Sequence, residues 1–160
     1  MKVVVERDLL IKALDRVRHV VERRNTIPIL SNLLIRAGSE MLTIVATDLD
    51  ILARTSLPAV AEEPFATTVP ASIFSDIVKK TAAGSQISIV LDNNQATVQS
   101  GRSRFKLYVL PDADFPDLSP PQDPNRFSIE AGVLTTLIDR TQFAISTEET
   151  RYYLNGIYLH

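Results

Sequence analysis

The stretch Lys2-Val3-Val4-Val5-Glu6-Arg7-Asp8-Leu9-Leu10-Ile11-Lys12-Ala13-Leu14-Asp15-Arg16 decides how this chain is built. Val3 to Val5 reads as a short strand. Leu10, Leu14, Val17 and Val21 then recur at helical spacing, with Asp8 placed to cap the helix. A slide of 124 residues returns the same pattern as Arg126-Phe127-Ser128-Ile129-Glu130-Ala131-Gly132-Val133-Leu134-Thr135-Thr136-Leu137-Ile138-Asp139-Arg140, with four of fifteen positions identical and ten alike. The matched Asp-Arg pair lies on the polar face, where an apolar stripe makes no demand. Duplication therefore explains the match better than a shared need for amphipathic helices.

Between the two copies the elements also repeat. After the first helix come strand-like runs at Leu30–Arg36, Leu42–Ala46 and Ile51–Leu57. A second cycle opens with a strand at Phe65–Val69, and Pro70 starts a helix bearing Ile73, Phe74, Ile77 and Val78. Gly84 ends it. Strands at Gln86–Leu91, Ala96–Gln99 and Phe105–Leu110 follow, with Asn93-Asn94 as a hairpin signal. The fold class expected is α+β: two β-α-β-β-β halves within about residues 1–118, both helices side by side on one face of antiparallel sheets. Residues Pro111 to Pro124 hold five of the nine prolines, four aspartates and no Lys or Arg, and read as an extended linker ending over 119–125. From 126 the pattern restarts, with a strand at Phe127–Glu130 and a helix through Leu134, Leu137, Ile138 and Thr141. The reading is one whole domain, 1–118, and the start of a second, 126–160. The tail from Phe127 is expected to be mobile or to need another copy for order, with an exposed apolar face at Leu134, Leu137 and Ile138.

Composition is that of an ordinary globular chain: 160 residues, 45% hydrophobic, net charge −2. It lacks cysteine, so disulfides and thiolate metal sites are excluded. No apolar run approaches the roughly 20 residues that cross a bilayer, and the N-terminus has too short an apolar run for a signal peptide. A soluble, cytoplasmic protein is the expectation.

Chemistry is sparse. The two histidines, His19 and His160, and the scattered glycines offer neither a metal cluster nor a phosphate loop. Asp48 and Asp50 would suit a divalent cation or an acid–base pair if they shared one side of a strand, but a solvated turn is the simpler reading. Positive charge is more telling. Residues 1–24 hold seven Lys and Arg against four Asp and Glu. The first helix presents Asp8, Lys12, Asp15, Arg16, His19 and Arg23 on its polar face; the second presents Ser72, Asp76, Lys79 and Lys80. Such mildly basic faces suit sequence-independent contact with phosphates better than base reading. Arg23-Arg24 and Arg151-Tyr152-Tyr153, in equivalent loops after the first and third helices, add cations and rings able to stack or donate hydrogen bonds.

Met1-Lys2, Glu6-Arg7, Thr26-Ile27-Pro28-Ile29-Leu30-Ser31-Asn32, Thr47-Asp48-Leu49, Ala66-Thr67-Thr68-Val69-Pro70-Ala71, Ser100-Gly101-Arg102-Ser103-Arg104-Phe105, Asp114-Phe115-Pro116 and Arg151-Tyr152-Tyr153-Leu154-Asn155-Gly156 closely resemble, in order, the bacterial beta sliding clamp family, the processivity subunits of DNA polymerase III. The resemblance implies a DNA-clamp fold of three similar domains, of which this sequence would be the N-terminal portion. It implies a head-to-tail homodimer ring when full length, with helices lining the hole. The implied partners are double-stranded DNA, the replicative polymerase, the clamp loader and other clamp-binding replication and repair proteins. No catalytic residue, cofactor, metal or membrane contact is implied. Carried over residue by residue, the resemblance makes Arg24, Tyr152 and Tyr153 DNA-contacting. Arg102, Arg104, Phe105 and Leu107 fall on the ring-interface strand, and Arg151 and Leu154 on the rim of a peptide pocket. Ser72 stands where a basic residue is common and Glu148 where a glutamine can contact DNA. With Lys79 and Lys80 these two are weaker DNA-binding candidates.

Two rival functions stand beside this reading. One is a clamp-like adaptor that binds proteins without binding DNA. The other is a small metal-dependent hydrolase using Asp48 and Asp50.

Overall fold

The computed structural model describes residues 1–21, 26–116 and 127–159. The chain divides into two compact units, Met1–Ser119 and Pro120–His160. The expected boundaries at 118, 119–125 and 126 lie outside the described residues.

The first unit begins with β1 (Lys2–Glu6) and α1 (Arg7–Val17), followed by a 3₁₀ turn, Pro28–Ser31. Strands β2 (Asn32–Ala37), β3 (Met41–Thr47), β4 (Leu52–Pro58) and the two-residue β5 (Val60–Ala61) complete its first half. The second half runs β6 (Phe65–Pro70), α2 (Ala71–Lys80), β7 (Gln86–Asp92), β8 (Gln95–Ser100) and β9 (Ser103–Tyr108). The expected element order is therefore present, with β5 as an unread addition. All pairings are antiparallel, in one sheet of order β5-β1-β7-β8-β9 and another of order β4-β3-β2-β6.

The halves exchange their first strands. β1 pairs with β7 in the register Val3↔Ile89 and Val5↔Ile87, while β6 pairs with β2 as Leu33↔Val69 and Ile35↔Thr67. Each half thus completes the other's sheet. The sheets meet where Thr68 of β6 accepts the Leu110 N–H and donates to the Leu110 carbonyl, and the Asn32 amide also donates to that hydroxyl. One core lies between helices and sheets, with Leu10, Leu14, Phe74, Leu33, Ile35, Ile87 and Ile89 fully buried. Burial of each such side chain contributes about 1.5–3 kcal/mol. Helix α1 packs on α2 and on β4, with α2 against β6.

A smaller cluster covers part of the four-stranded sheet: Ile29, Leu30, Leu34, Val45 and Phe115, with Leu52 against it. It corrects two expectations. Leu30 begins no strand, because Pro28 sets up the 3₁₀ turn that drops Ile29 and Leu30 onto the sheet. Phe115 is buried rather than part of an extended linker, since the short turn Asp112–Asp114 delivers its ring to that cluster.

Other corrections are local. Asp8 is not the N-cap of α1; Glu6 holds that place without a side-chain cap, and Asp8 lies inside the first turn. Ile73 is 54% exposed, because the buried side of α2 runs through Ala71, Phe74, Ile77 and Val78. In the second unit, α3 (Ala131–Thr141) forms as expected, but Phe127–Glu130 is not a strand. A strand needs a ladder partner, and no described segment of that unit lies beside it as one. Short 3₁₀ turns follow at Gln142–Ala144 and Glu149–Leu154, the latter kinked at Arg151.

Candidate nucleic-acid interface

The polar faces of α1 and α2 are built by the same rule: residues that do not meet the sheets are left to water. Lys12, Asp15 and Arg16 on α1, Arg18 and His19 just beyond it, and Ser72, Asp76, Lys79 and Lys80 on α2 are all exposed. Five cations among them face two carboxylates. The Asp15 Oδ1 accepts from Arg18 Nε at 3.1 Å and stands 3.9 Å from Lys79 Nζ, so one acid ties the two helices together. These groups are in water, and such pairs contribute little to stability. Their value is a field of mild positive sign.

At the other end of the helix pair, Arg7 has a definite task that its place in the Glu6-Arg7 motif does not reveal. Its Nε donates to the Val78 carbonyl at 3.3 Å and its Nη2 to the Lys79 carbonyl at 3.0 Å, closing the C-terminal end of α2. Its Nη1 lies 2.7 Å from Asp8 Oδ1, and Asp8 Oδ2 accepts the Gly84 N–H. The Arg7 hydrogen bond first, then the Gly84 N–H, hold the Asp8 carboxyl below its ordinary value. No spacing rule would find these contacts, since Arg7 and its carbonyl partners lie more than seventy residues apart.

Of the proposed DNA contacts, Arg24 lies outside the described residues, as does the side chain of Tyr152. Tyr153 is strongly exposed. Glu148 pairs with Arg151, Oε2 to Nε at 2.9 Å, so its charge is already partnered. Leu154 is half exposed, and its carbonyl accepts the Ser146 N–H. Ser72, Lys79 and Lys80 share the α2 face, whereas Glu148, Arg151, Tyr153 and Leu154 belong to the second unit.

The strand carrying Arg104, Phe105 and Leu107, expected at a ring interface, is an edge. β9 has β8 as its one ladder partner among the described residues. Arg104, Lys106 and Tyr108 project from one side; Arg102 sits in the preceding turn, where Gly101 takes φ 57. Phe105 is 39% exposed, but Leu107 is buried in the core and offers its backbone, not its side chain, to any partner. Cations on an open strand guard against indiscriminate pairing.

Asp48 is engaged in the turn that holds it. Asp48 Oδ1 accepts the N–H groups of Asp50 and Ile51, building the turn between β3 and β4, with Leu49 at φ 84. Among the described residues no group of three His, Cys, Asp or Glu is placed to hold a metal. No helix among them is long and apolar enough to cross a membrane.

Set against known proteins, residues 1–119 match the family model described as DNA polymerase III beta subunit, N-terminal domain. The chain belongs to this family. It is 48% identical over 162 residues to the beta sliding clamp of Caulobacter vibrioides, a match covering 100% of this chain and 44% of that protein. With the Escherichia coli K12 beta sliding clamp the identity is 42% over 159 residues, covering 98% and 43%. A solved Caulobacter crescentus polymerase III beta structure superposes with a TM-score of 0.94 at 48% identity, covering 100% of this chain and 43% of that one. The chain thus spans less than half the length of the beta clamps it matches and corresponds to their N-terminal portion.

Proposed function

We propose that this chain works as the N-terminal portion of a DNA sliding clamp, a non-catalytic processivity factor of the replicative polymerase. Membership of the beta-subunit family carries the reading. The charge on the α1 and α2 faces supplies its physics. Five exposed cations moderated by Asp15 and Asp76 attract phosphates without a groove-entering element that reads bases. Weak, evenly spread attraction suits a ring that holds duplex by topology and slides along it.

In this reading residues 1–118 are the first clamp domain, 119–125 the end of a linker and 126–160 the start of the central domain. Arg24, Tyr152 and Tyr153 touch DNA. The Arg102–Leu107 edge extends its ladder into another chain of a head-to-tail homodimer, with Phe105 packing beside it. Arg151 and Leu154 rim a pocket for peptides of the polymerase, the clamp loader and other clamp-binding proteins. The compartment is the cytoplasm. Neither rival is favoured, because Asp48 is engaged in its turn and the relatives are clamps.

The test uses rings of the complete protein. Arg24→Ala should weaken DNA binding equally across sequences and make the slope of log affinity against log salt shallower by about one unit. Tyr152→Ala with Tyr153→Ala should weaken binding with little change in that slope. Wild-type affinity in both variants would remove these loops from the interface.

A further inference from the structure

The loop that carries Arg151, Tyr153 and Leu154 is tied at its neck by one further residue, Asn155. Its counterpart in the first unit shows why a tie is needed. At the offset of 124 residues, Leu154 corresponds to Leu30 and Asn155 to Ser31. Leu30 is 2% exposed, and apolar packing with Ile29, Val45 and Phe115 pins its loop to the sheet. Leu154 is 45% exposed, so its loop takes its course from hydrogen bonds instead.

Those bonds converge on Ser146 and Asn155. The Ser146 N–H donates to the Leu154 carbonyl at 3.0 Å, which brings the two ends of the loop together. The Ser146 hydroxyl accepts the Glu148 N–H at 3.1 Å, and the Glu148 carbonyl accepts the Arg151 N–H at 3.0 Å. At Arg151 the backbone leaves helical geometry, with φ −110° and ψ 45°, so its carbonyl turns out of the helical path. The Asn155 amide takes it up. In the orientation that satisfies its neighbours, the Asn155 nitrogen donates to the Ser146 carbonyl at 2.9 Å and to the Arg151 carbonyl at 3.2 Å. One nitrogen with two protons thus joins the start, the kink and the end of the loop. An aspartate of the same shape would set a carboxylate, with no donor, against two carbonyls.

We propose that Asn155 is the positioning residue of this loop: its two donor protons, not its bulk, hold the shape in which Tyr153 and Leu154 are presented. The functional consequence rests on reading the loop as a contact for DNA, and the test keeps the two apart.

Amide exchange at Ser146, followed by NMR in the 160-residue chain, reads the neck directly, because that N–H is released when the neck opens. Asn155→Ala should speed it about fivefold, and Asn155→Asp about tenfold or more. Asn155→Gln keeps both donors on one further carbon and should stay within about twofold of the wild type. Exchange at Leu14, in the core of the first unit, should not move in any of the three. The wild-type Asn155 side-chain amide should exchange slowly with water and show nuclear Overhauser contacts to Ser146. In rings of the complete protein, Asn155→Ala should weaken binding of a short duplex about threefold with the salt slope unchanged, since no phosphate contact is removed. Unchanged Ser146 exchange in the Ala and Asp variants, or a Gln variant as fast as the Ala variant, would overturn the assignment. An opened neck with wild-type duplex affinity would uphold Asn155 as the clasp and remove the loop from the DNA interface.

Discussion

Helices α1 and α3 are the same helix in two settings. α1 spans Arg7–Val17, α3 spans Ala131–Thr141, and each boundary differs by the 124 residues of the repeat. Their ends match as well. Glu6 and Glu130 enter at φ/ψ of −72/132° and −67/133°, and the C-cap N–H returns to Leu14 in one and to its counterpart Ile138 in the other. Burial is where they part: α1 buries Leu10, Ala13, Leu14 and Val17, and α3 buries no residue. Helix boundaries are therefore a local property, written in about fifteen residues. Burial is conferred by sheets, and sheets come from distant sequence. The preceding segments say the same, for Lys2–Glu6 is a strand between β5 and β7 while Phe127–Glu130 has the pattern without a ladder.

The widest separation should come from truncating equivalent positions. Leu14→Ala, at 1% exposure, should cost about 2–5 kcal/mol in a urea or guanidinium melt of the chain. Ile138→Ala, at 39% exposure, should cost under about 1 kcal/mol. Comparable losses would mean that α3 is held by packing as firm as that of α1.

Arg7 sharpens the contrast, because its counterpart is Ala131. Removing Arg7 strips two charge-assisted hydrogen bonds from the end of α2, so Arg7→Ala should cost about 1–3 kcal/mol. Ala131→Arg should change stability by no more than about 0.5 kcal/mol, as expected of a surface substitution. Equal effects in the two helices would show that the arginine acts through helix propensity and not through α2.

These contrasts mark what could be read from the sequence. Apolar stripes gave both first-unit helices, and period-two alternation gave strands such as β7 and β8, where Ile87, Ile89, Ala96 and Val98 point inward. β2 hides its period, because Leu34 on its outer side is covered by Leu30 and Phe115. The exchange of β1 and β6 leaves no mark on either strand, since pairing is decided by registers about eighty-five and thirty-five residues away. The basic helix faces were legible for the same reason as the stripes: they are the stripes' complement. The Arg7 bridge to α2 was not, because its carbonyl partners lie more than seventy residues away along the chain.

The smallest effect is also the most specific. Asp8 is held below its ordinary value of 3.8 chiefly by the Arg7 hydrogen bond and then by the Gly84 N–H, whereas its counterpart in α3 is Gly132 and cannot titrate. A carboxyl whose folded pKa is depressed binds its proton less readily when folded than when unfolded. Its contribution is therefore present above the unfolded value and lost as pH falls through 3.8 towards the lower folded value. Neutral pH lies on the stabilising side and strong acid on the other. The group is exposed, so the effect should be small and should shrink in high salt. Denaturant midpoints from pH 6 down to pH 2.5 should converge for wild type and Asp8→Asn only below the window, the wild type losing its advantage within it. A constant gap across that range would mean that Asp8 acts by packing or by its turn hydrogen bond in either protonation state, and that its charge contributes nothing to closing the helix pair.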